Sequence, residues 1–147
     1  MSETATDRSA GEALAARHLR VGWWALFGFA CLGLGLEALH GFKVRFYLDV
    51  SNETRRLLFT LAHAHGVLLS LVNVAFGLSL RASALVLSQP GAVSGALLGA
   101  TALLPGGFLL GGMVVYAGDP GFGVALVPVG ALLLLWALLQ IARGARA

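Results

Sequence analysis

Four long apolar runs dominate this sequence and limit what it can fold into. They cover about residues 21–39, 57–80, 92–116 and 122–142, and short polar or glycine-containing segments separate them. Each run has the roughly 17 to 25 residues that a helix needs to cross a bilayer. Helices are favoured there because they satisfy their own backbone hydrogen bonds in hydrocarbon. The sequence therefore predicts an all-α integral membrane protein with four transmembrane helices in an antiparallel bundle.

Charged residues are scarce and unevenly placed. Only 12% of the 147 residues are charged, against about a quarter in an average soluble domain. Of the 17 charged residues, 14 lie in the first 81 positions, which leaves Asp119, Arg143 and Arg146 beyond them. These values exclude a soluble globular domain. The basic residues stand singly or in pairs instead of forming a stripe, so nucleic acid is not an expected partner.

The charges also predict a domain organisation and an orientation. We expect a polar N-terminal tail over residues 1–20, of which residues 12–20 can extend the first helix, a membrane domain over 21–142 and a C-terminal tail over 143–147. With four spans, both tails and the second loop lie on one side and carry six Lys and Arg residues, whereas the other two loops carry four. The positive-inside rule then places both termini in the cytoplasm, and we expect a bacterial-type inner membrane.

Ionisable side chains within apolar runs are costly and are therefore the first functional candidates. The chain offers Glu37, His40, His63 and His65, with Asn73 as a polar companion. Glu37 and His40 lie three residues apart at the end of the first helix, where an interfacial pair is the favoured interpretation. The candidate metal ligands are His63, His65 and His40, and Glu37 is a further polar residue inside the membrane.

The two histidines of the second helix point in different directions. His63 shares a face with small and polar residues, namely Gly66, Ser70, Asn73 and Gly77. His65 lies about 200° away on a bulky apolar face, so one straight helix cannot bring both rings to one ion. His63 can equally be a neutral core imidazole that bonds a neighbouring helix. The face of His65 should meet a second protomer, a partner subunit or a haem plane, because lipid cannot satisfy its ring.

The run His63-Ala64-His65 on the second helix carries a resemblance. With the glycine-rich third span and the turn at Asp119 and Pro120, the layout from about 21 to 142 resembles small four-helix membrane proteins that are similar to a fragment of haem-copper oxidase subunit I. The sequence departs from the pattern expected for those proteins after the second histidine. There, Gly66, Val67 and Ser70 stand in place of Leu, Asn and Gly.

The resemblance implies a b-type haem with an axial histidine from the second helix. The ligand would be His63 in one alignment of the motif and His65, which Gly66 follows directly, in the other. Asn73 would lie in the surrounding shell. The second axial ligand would come from another copy of the chain, which implies a homo-oligomer. The chain cannot be an oxidase by itself, since it lacks the further helical histidines of a copper centre.

Three functions remain open at this point. The first is a haem- or metal-binding membrane subunit linked to electron transfer. The second is a structural or accessory subunit without a cofactor, and the third is a small transporter or channel with His63, Asn73 and Glu37 along a polar path. The expected partners are the lipid bilayer and either further copies of the chain or another membrane subunit. No catalytic residues are predicted, because nucleophile–base pairs and nucleotide or metalloprotease motifs are missing from the sequence.

Overall fold

The computed structural model describes residues 2–49 and 53–145 and contains four long helices. They are α1 (Ser2–Gly41), α2 (Thr54–Arg81), α3 (Pro90–Met113) and α4 (Leu126–Gly144), and a short 3₁₀ helix, Phe122–Ala125, leads into α4. All four membrane runs form helices that are long and apolar enough to cross a membrane. The prediction of an all-α, four-helix membrane fold is confirmed.

The helix boundaries differ from the predicted ones, most of all at the N-terminus. Within the expected polar tail 1–20, residues 12–20 do extend the first helix, and α1 already begins at Ser2. Ala15 and His18 have no exposed surface. The reason is that small and apolar residues continue at helical spacing before the membrane run starts. At the other end, α4 includes Arg143 and Gly144 of the predicted tail 143–147. Residues 1, 146 and 147 lie outside the described residues.

Each helix packs mainly against its neighbours in sequence. α1 packs on α2, α2 on α3 and α3 on α4, whereas α1 reaches α3 only briefly. Among the described residues, α1 and α4 do not pack against each other. The bundle is therefore open, with α2 and α3 at its centre. Large apolar side chains such as Trp24 and Phe27 on α1 and Leu132 and Leu135 on α4 are exposed, as is typical of faces that contact lipid.

Glycines bring α1 and α2 into close contact. A Cβ at Gly22 would lie 2.7 Å from Cγ2 of Val74, and one at Gly77 would lie 3.0 Å from the carbonyl oxygen of Ala15. Gly66 receives the ring of Phe29 in the same way. Small residues of this kind allow two helix backbones to approach in a membrane. The face of α2 that was predicted to point into the bundle does so: Gly66, Ser70, Asn73 and Gly77 are all buried.

The two ends of the bundle are built differently. At the terminal end, where α1 begins and α4 ends, the amide of Val86 donates to the carbonyl of Gly144 at 2.8 Å. At the distal end, which holds the segments 42–49 and 114–121, Arg55 joins three elements. Its Nε donates to the carbonyl of Gly112 at 3.1 Å and its Nη1 to the carbonyl of Phe46 at 2.9 Å. Arg55 thereby holds the first connection against α2 and α3.

Candidate functional site

His63 is held in one orientation by α1. Its ring lies over Gly33, where a Cβ would stand 2.8 Å from the ring Nδ1. The Nδ1 lies 2.8 Å from the carbonyl oxygen of Phe29. Because a carbonyl only accepts hydrogen bonds, Nδ1 carries the proton, and the Nε2 of the neutral ring keeps a lone pair. In the part of the chain that the structure describes, nothing hydrogen-bonds to that Nε2.

His63 lines a groove of 280 Å³ between α1 and α2, which we call the distal groove. Its other lining residues are Gly33, Leu36, Glu37, His40, Tyr47 and Thr60. Three ionisable residues that were singled out in the sequence, Glu37, His40 and His63, therefore come together here. Glu37 and His40 are exposed, and neither has a hydrogen bond or an ion pair within the described ranges. No described contact therefore fixes the orientation of these two side chains.

Tyr47 is a groove residue that the sequence analysis missed. Its side chain is 6% exposed, and its ring stacks on Phe59 with the centroids 6.5 Å apart. The phenol hydroxyl has no hydrogen-bond partner among the described residues, which is unusual for a buried polar group. The neighbouring hydroxyl of Thr60 is already used, since it donates to the carbonyl of Arg56 at 2.9 Å. No periodicity marked Tyr47, because it lies in the irregular connection after α1.

The groove does not contain a preformed metal cluster. Within residues 2–49 and 53–145, no three His, Cys, Asp or Glu side chains stand together closely enough to hold an ion. What the groove offers is one imidazole in a fixed orientation, with a second imidazole and a carboxylate beside it at the end of α1. The single cysteine, Cys31, is exposed and does not line this groove.

His65 lies outside the distal groove, on the side of α2 that contacts α3. Its Nδ1 donates to the carbonyl of Leu61 at 2.9 Å, within the same helix. Its ring packs on Phe108 of α3 with the centroids 5.0 Å apart. This face was expected to meet a second protomer, a partner subunit or a haem, and α3 of the same chain meets part of it, while the ring of His65 stays half-buried. Sequence reasoning could not see that α2 is a central helix with two buried faces.

A second group of polar side chains lies near the terminal end and is buried. We call it the buried polar cluster, and it consists of His18, Asn73, Ser94 and Thr101. The Nδ2 of Asn73 donates to Thr101 Oγ1 at 2.8 Å, which leaves Oδ1 to accept from His18 Nδ1 at 2.7 Å. The Nε2 of His18 then accepts from the hydroxyl of Ser94 at 2.7 Å. The cluster joins α1, α2 and α3 and satisfies both ring nitrogens of a neutral imidazole.

The buried polar cluster changes the role expected of Asn73. Asn73 was predicted to support a haem ligand, but its amide is used by His18 and Thr101. It also lies ten residues from His63, about 15 Å along the helix axis. His18 was missed because it precedes the apolar run. The signal that could have found it is its helical spacing from Ala15 and Gly22, which are buried on α1 as well.

A haem does not fit between α1 and α2 of one copy. The space left by Gly66 is filled by the ring of Phe29, and that left by Gly77 is filled by Leu19 and the backbone of Ala15. Neither glycine leaves open space for a macrocycle. They serve helix packing instead.

No family model, curated protein or solved structure matches this chain. The fold and the site define its class directly: it is a helical membrane protein with four membrane-crossing helices and a polar groove at one end. The resemblance to oxidase-like proteins remains an expectation from the motif alone.

Proposed function

We propose that this protein is a metal-binding membrane subunit and that the distal groove is its metal site. The observation that carries the proposal is the fixed ring of His63: it lines a groove that Glu37 and His40 also line, and its Nε2 has no hydrogen bond among the described residues. Histidines that bind metals usually donate their other ring N–H to a carbonyl or carboxylate, which sets the tautomer and the ring orientation. The bond from Nδ1 to the Phe29 carbonyl has this character.

Two imidazoles and a carboxylate form a ligand set that suits a divalent first-row metal. Sets of two histidines and one acidic residue bind Zn²⁺ and Fe²⁺ with positions left open for water or substrate. Here His63 provides the rigid ligand, and Glu37 and His40 turn toward it to complete the set. The unpaired hydroxyl of Tyr47 is available to a water or ligand on the metal. His65, the remaining candidate ligand, takes no part.

The geometry favours this proposal over a channel. The distal groove and the buried polar cluster lie toward opposite ends of α1 and α2. Between them the helices are in close contact, through Gly66 with Phe29 and through Gly22 with Val74. A polar path through the α1–α2 interface would have to break that packing.

The haem hypothesis is restricted to a site between copies of the chain. A single copy has no room for the macrocycle between α1 and α2, so a b-type haem would have to lie between copies, with His63 or His65 as ligand. A link to electron transfer rests on the oxidase resemblance and requires a redox-active ion, such as iron or copper, or that haem. We further propose a bacterial-type inner membrane, with both termini in the cytoplasm and the distal groove on the outer side.

The test is metal binding by the full-length protein in mild detergent. Equilibrium dialysis against Zn²⁺ and Co²⁺ should give one bound ion per chain, and the cobalt form should be coloured. His63→Gln should abolish this binding. His65→Gln is the same type of change on the side of α2 that contacts α3, outside the distal groove, and should retain the binding. An absorption spectrum of protein from a haem-competent host, recorded before and after reduction, tests the haem form.

Equal metal binding by wild-type protein and His63→Gln would contradict the proposal. So would loss of binding only in His65→Gln. Circular dichroism of both variants separates a lost ligand from a lost fold. If neither metal nor haem binds to the folded wild-type protein, the accessory subunit without a cofactor becomes the better interpretation.

A further inference from the structure

A second polar groove lies at the terminal end of the bundle, between α3 and α4. This terminal groove has a volume of 660 Å³, and its walls are the loop 86–89, the start of α3 and the last turns of α4. Four polar side chains line it together with one aromatic ring: Ser88, Gln89, Gln140, Arg143 and Trp136. It shares no residue with the distal groove.

The polar side chains of the terminal groove are exposed or half-buried and have no partners in the part of the chain that the structure describes. Over the ranges that the structure describes, Ser88, Gln89, Gln140 and Arg143 make no side-chain hydrogen bond or ion pair. None of the described residues that line the groove is acidic. Beyond residue 81 the only acidic residue of the chain is Asp119, which lies at the distal end. No described residue that lines the groove therefore compensates the positive charge of Arg143.

The walls of the terminal groove are held in place. The amide of Val86 donates to the carbonyl of Gly144 at 2.8 Å, and a Cβ at Gly144 would lie 2.6 Å from the oxygen of Val86. Leu85 and Leu87, from the same loop, pack against the apolar cluster that contains Val93. The loop is thus anchored to α3 and α4, and the groove does not depend on a ligand for its shape.

We propose that the terminal groove binds the phosphate headgroup of an anionic phospholipid from the surrounding leaflet. The guanidinium of Arg143 can hold a phosphodiester through two parallel hydrogen bonds. The amides of Gln89 and Gln140 and the hydroxyl of Ser88 supply further donors.

The surroundings of the groove favour a lipid over a free anion. Trp136 is a residue type that prefers the membrane–water interface. The exposed leucines Leu132, Leu135 and Leu139 extend along α4 toward the middle of the membrane run, and they give the acyl chains a surface to follow. One uncompensated arginine matches the single charge of a phosphatidylglycerol headgroup, and basic pockets between membrane helices are known sites for such lipids.

The experiment compares two lipids and two variants. Purified full-length protein is titrated with phosphatidylglycerol or phosphatidylcholine, and native mass spectrometry measures the lipid that it retains. The wild-type protein should retain phosphatidylglycerol in preference. Arg143→Gln should lower that retention about five-fold, the effect of one basic residue near an anionic headgroup. The control is Arg81→Gln, which removes an exposed cation at the end of α2. Arg81 lies at the terminal end of the bundle but outside the groove, so this variant should change the lipid retention little.

Two results would overturn the proposal. The first is equal retention of the two lipids by the wild-type protein, and the second is an equal loss in both variants. If inorganic phosphate displaces the lipid, the site takes a free anion and the assignment to lipid is wrong. Should Arg143→Gln fail to fold, Arg143→Lys keeps the charge without the planar fork and should retain an intermediate amount.

Discussion

His63 and His65 show how neighbours decide the role of similar residues. Both rings lie on α2, and both donate from Nδ1 to a backbone carbonyl. The ring of His63 rests on α1 over Gly33 and opens into a groove with a carboxylate and a second imidazole. The ring of His65 rests on Phe108 of α3. Their residue type alone makes both of them candidate ligands, and only the packing of the helices distinguishes their roles.

Gly33 is predicted to be a positioning residue for His63. In Gly33→Ala the new methyl group would overlap the imidazole, so the ring must turn away and the bond to Phe29 is lost. We expect weaker Zn²⁺ binding, by about ten-fold or more, the size of effect seen when a supporting partner of a metal ligand is removed. The control is Gly35→Ala, since nothing lies within 4 Å of a Cβ there. Equal zinc affinities for the two variants would rule out this role for Gly33.

His18 is predicted to stabilise the fold rather than the metal site. His18→Leu leaves the amide oxygen of Asn73 and the hydroxyl of Ser94 without their partner in a buried setting. We expect a loss of about 1–3 kcal/mol in the free energy of unfolding, seen as a lower Tm in detergent, with Zn²⁺ binding of the folded protein unchanged. Arg17→Ala, at the exposed neighbouring position, is the control. A Tm equal to that of this control would show that the buried polar cluster does not stabilise the protein.

At the scale of elements, the contact between α1 and α2 depends on the absence of side chains at a few positions. In Gly22→Ala the added Cβ would lie 2.9 Å from the carbonyl oxygen of Ser70 as well as close to Val74. Overpacking of this kind costs about 1–3 kcal/mol. We therefore expect a lower Tm for Gly22→Ala. Gly28→Ala lies on the same helix with open space around it, so it should leave the Tm unchanged or raise it. The reverse order of the two Tm values would show that α1 and α2 pack differently.

The positions of the helices could be predicted from sequence far better than the contacts between them. Length and hydropathy defined four spans, because a membrane helix must be long, apolar and continuous. The same pattern could not locate Tyr47, which lies in an irregular connection, or show that His18 continues the buried face of α1. It predicted the buried face of α2 with small and polar residues, but it could not tell whether the opposite face, which carries His65, meets α3 or lipid. That choice depends on which helix occupies the centre of the bundle, and no single helix encodes it.

The whole molecule is an open bundle whose outer helices, α1 and α4, present large apolar surfaces. Such surfaces suit lipid, and the four spans bring both termini to the same end. If the inferred orientation holds, a cysteine introduced by Arg45→Cys in a Cys31→Ser background should react with a membrane-impermeant maleimide in intact cells. Ser2→Cys in the same background should react only after the membrane is permeabilised. Labelling of the second variant from outside would reverse the orientation and place the distal groove in the cytoplasm.

The most direct measurement of the proposed metal site is X-ray absorption spectroscopy of the zinc-loaded full-length protein. We predict a first shell of nitrogen and oxygen at about 2.0–2.1 Å, with the outer-shell scattering of two imidazoles. His63→Gln should lose this pattern, and His65→Gln should keep it. A shell of water oxygens alone, or sulfur at about 2.3 Å from Cys31, would contradict a metal site built on His63, His40 and Glu37.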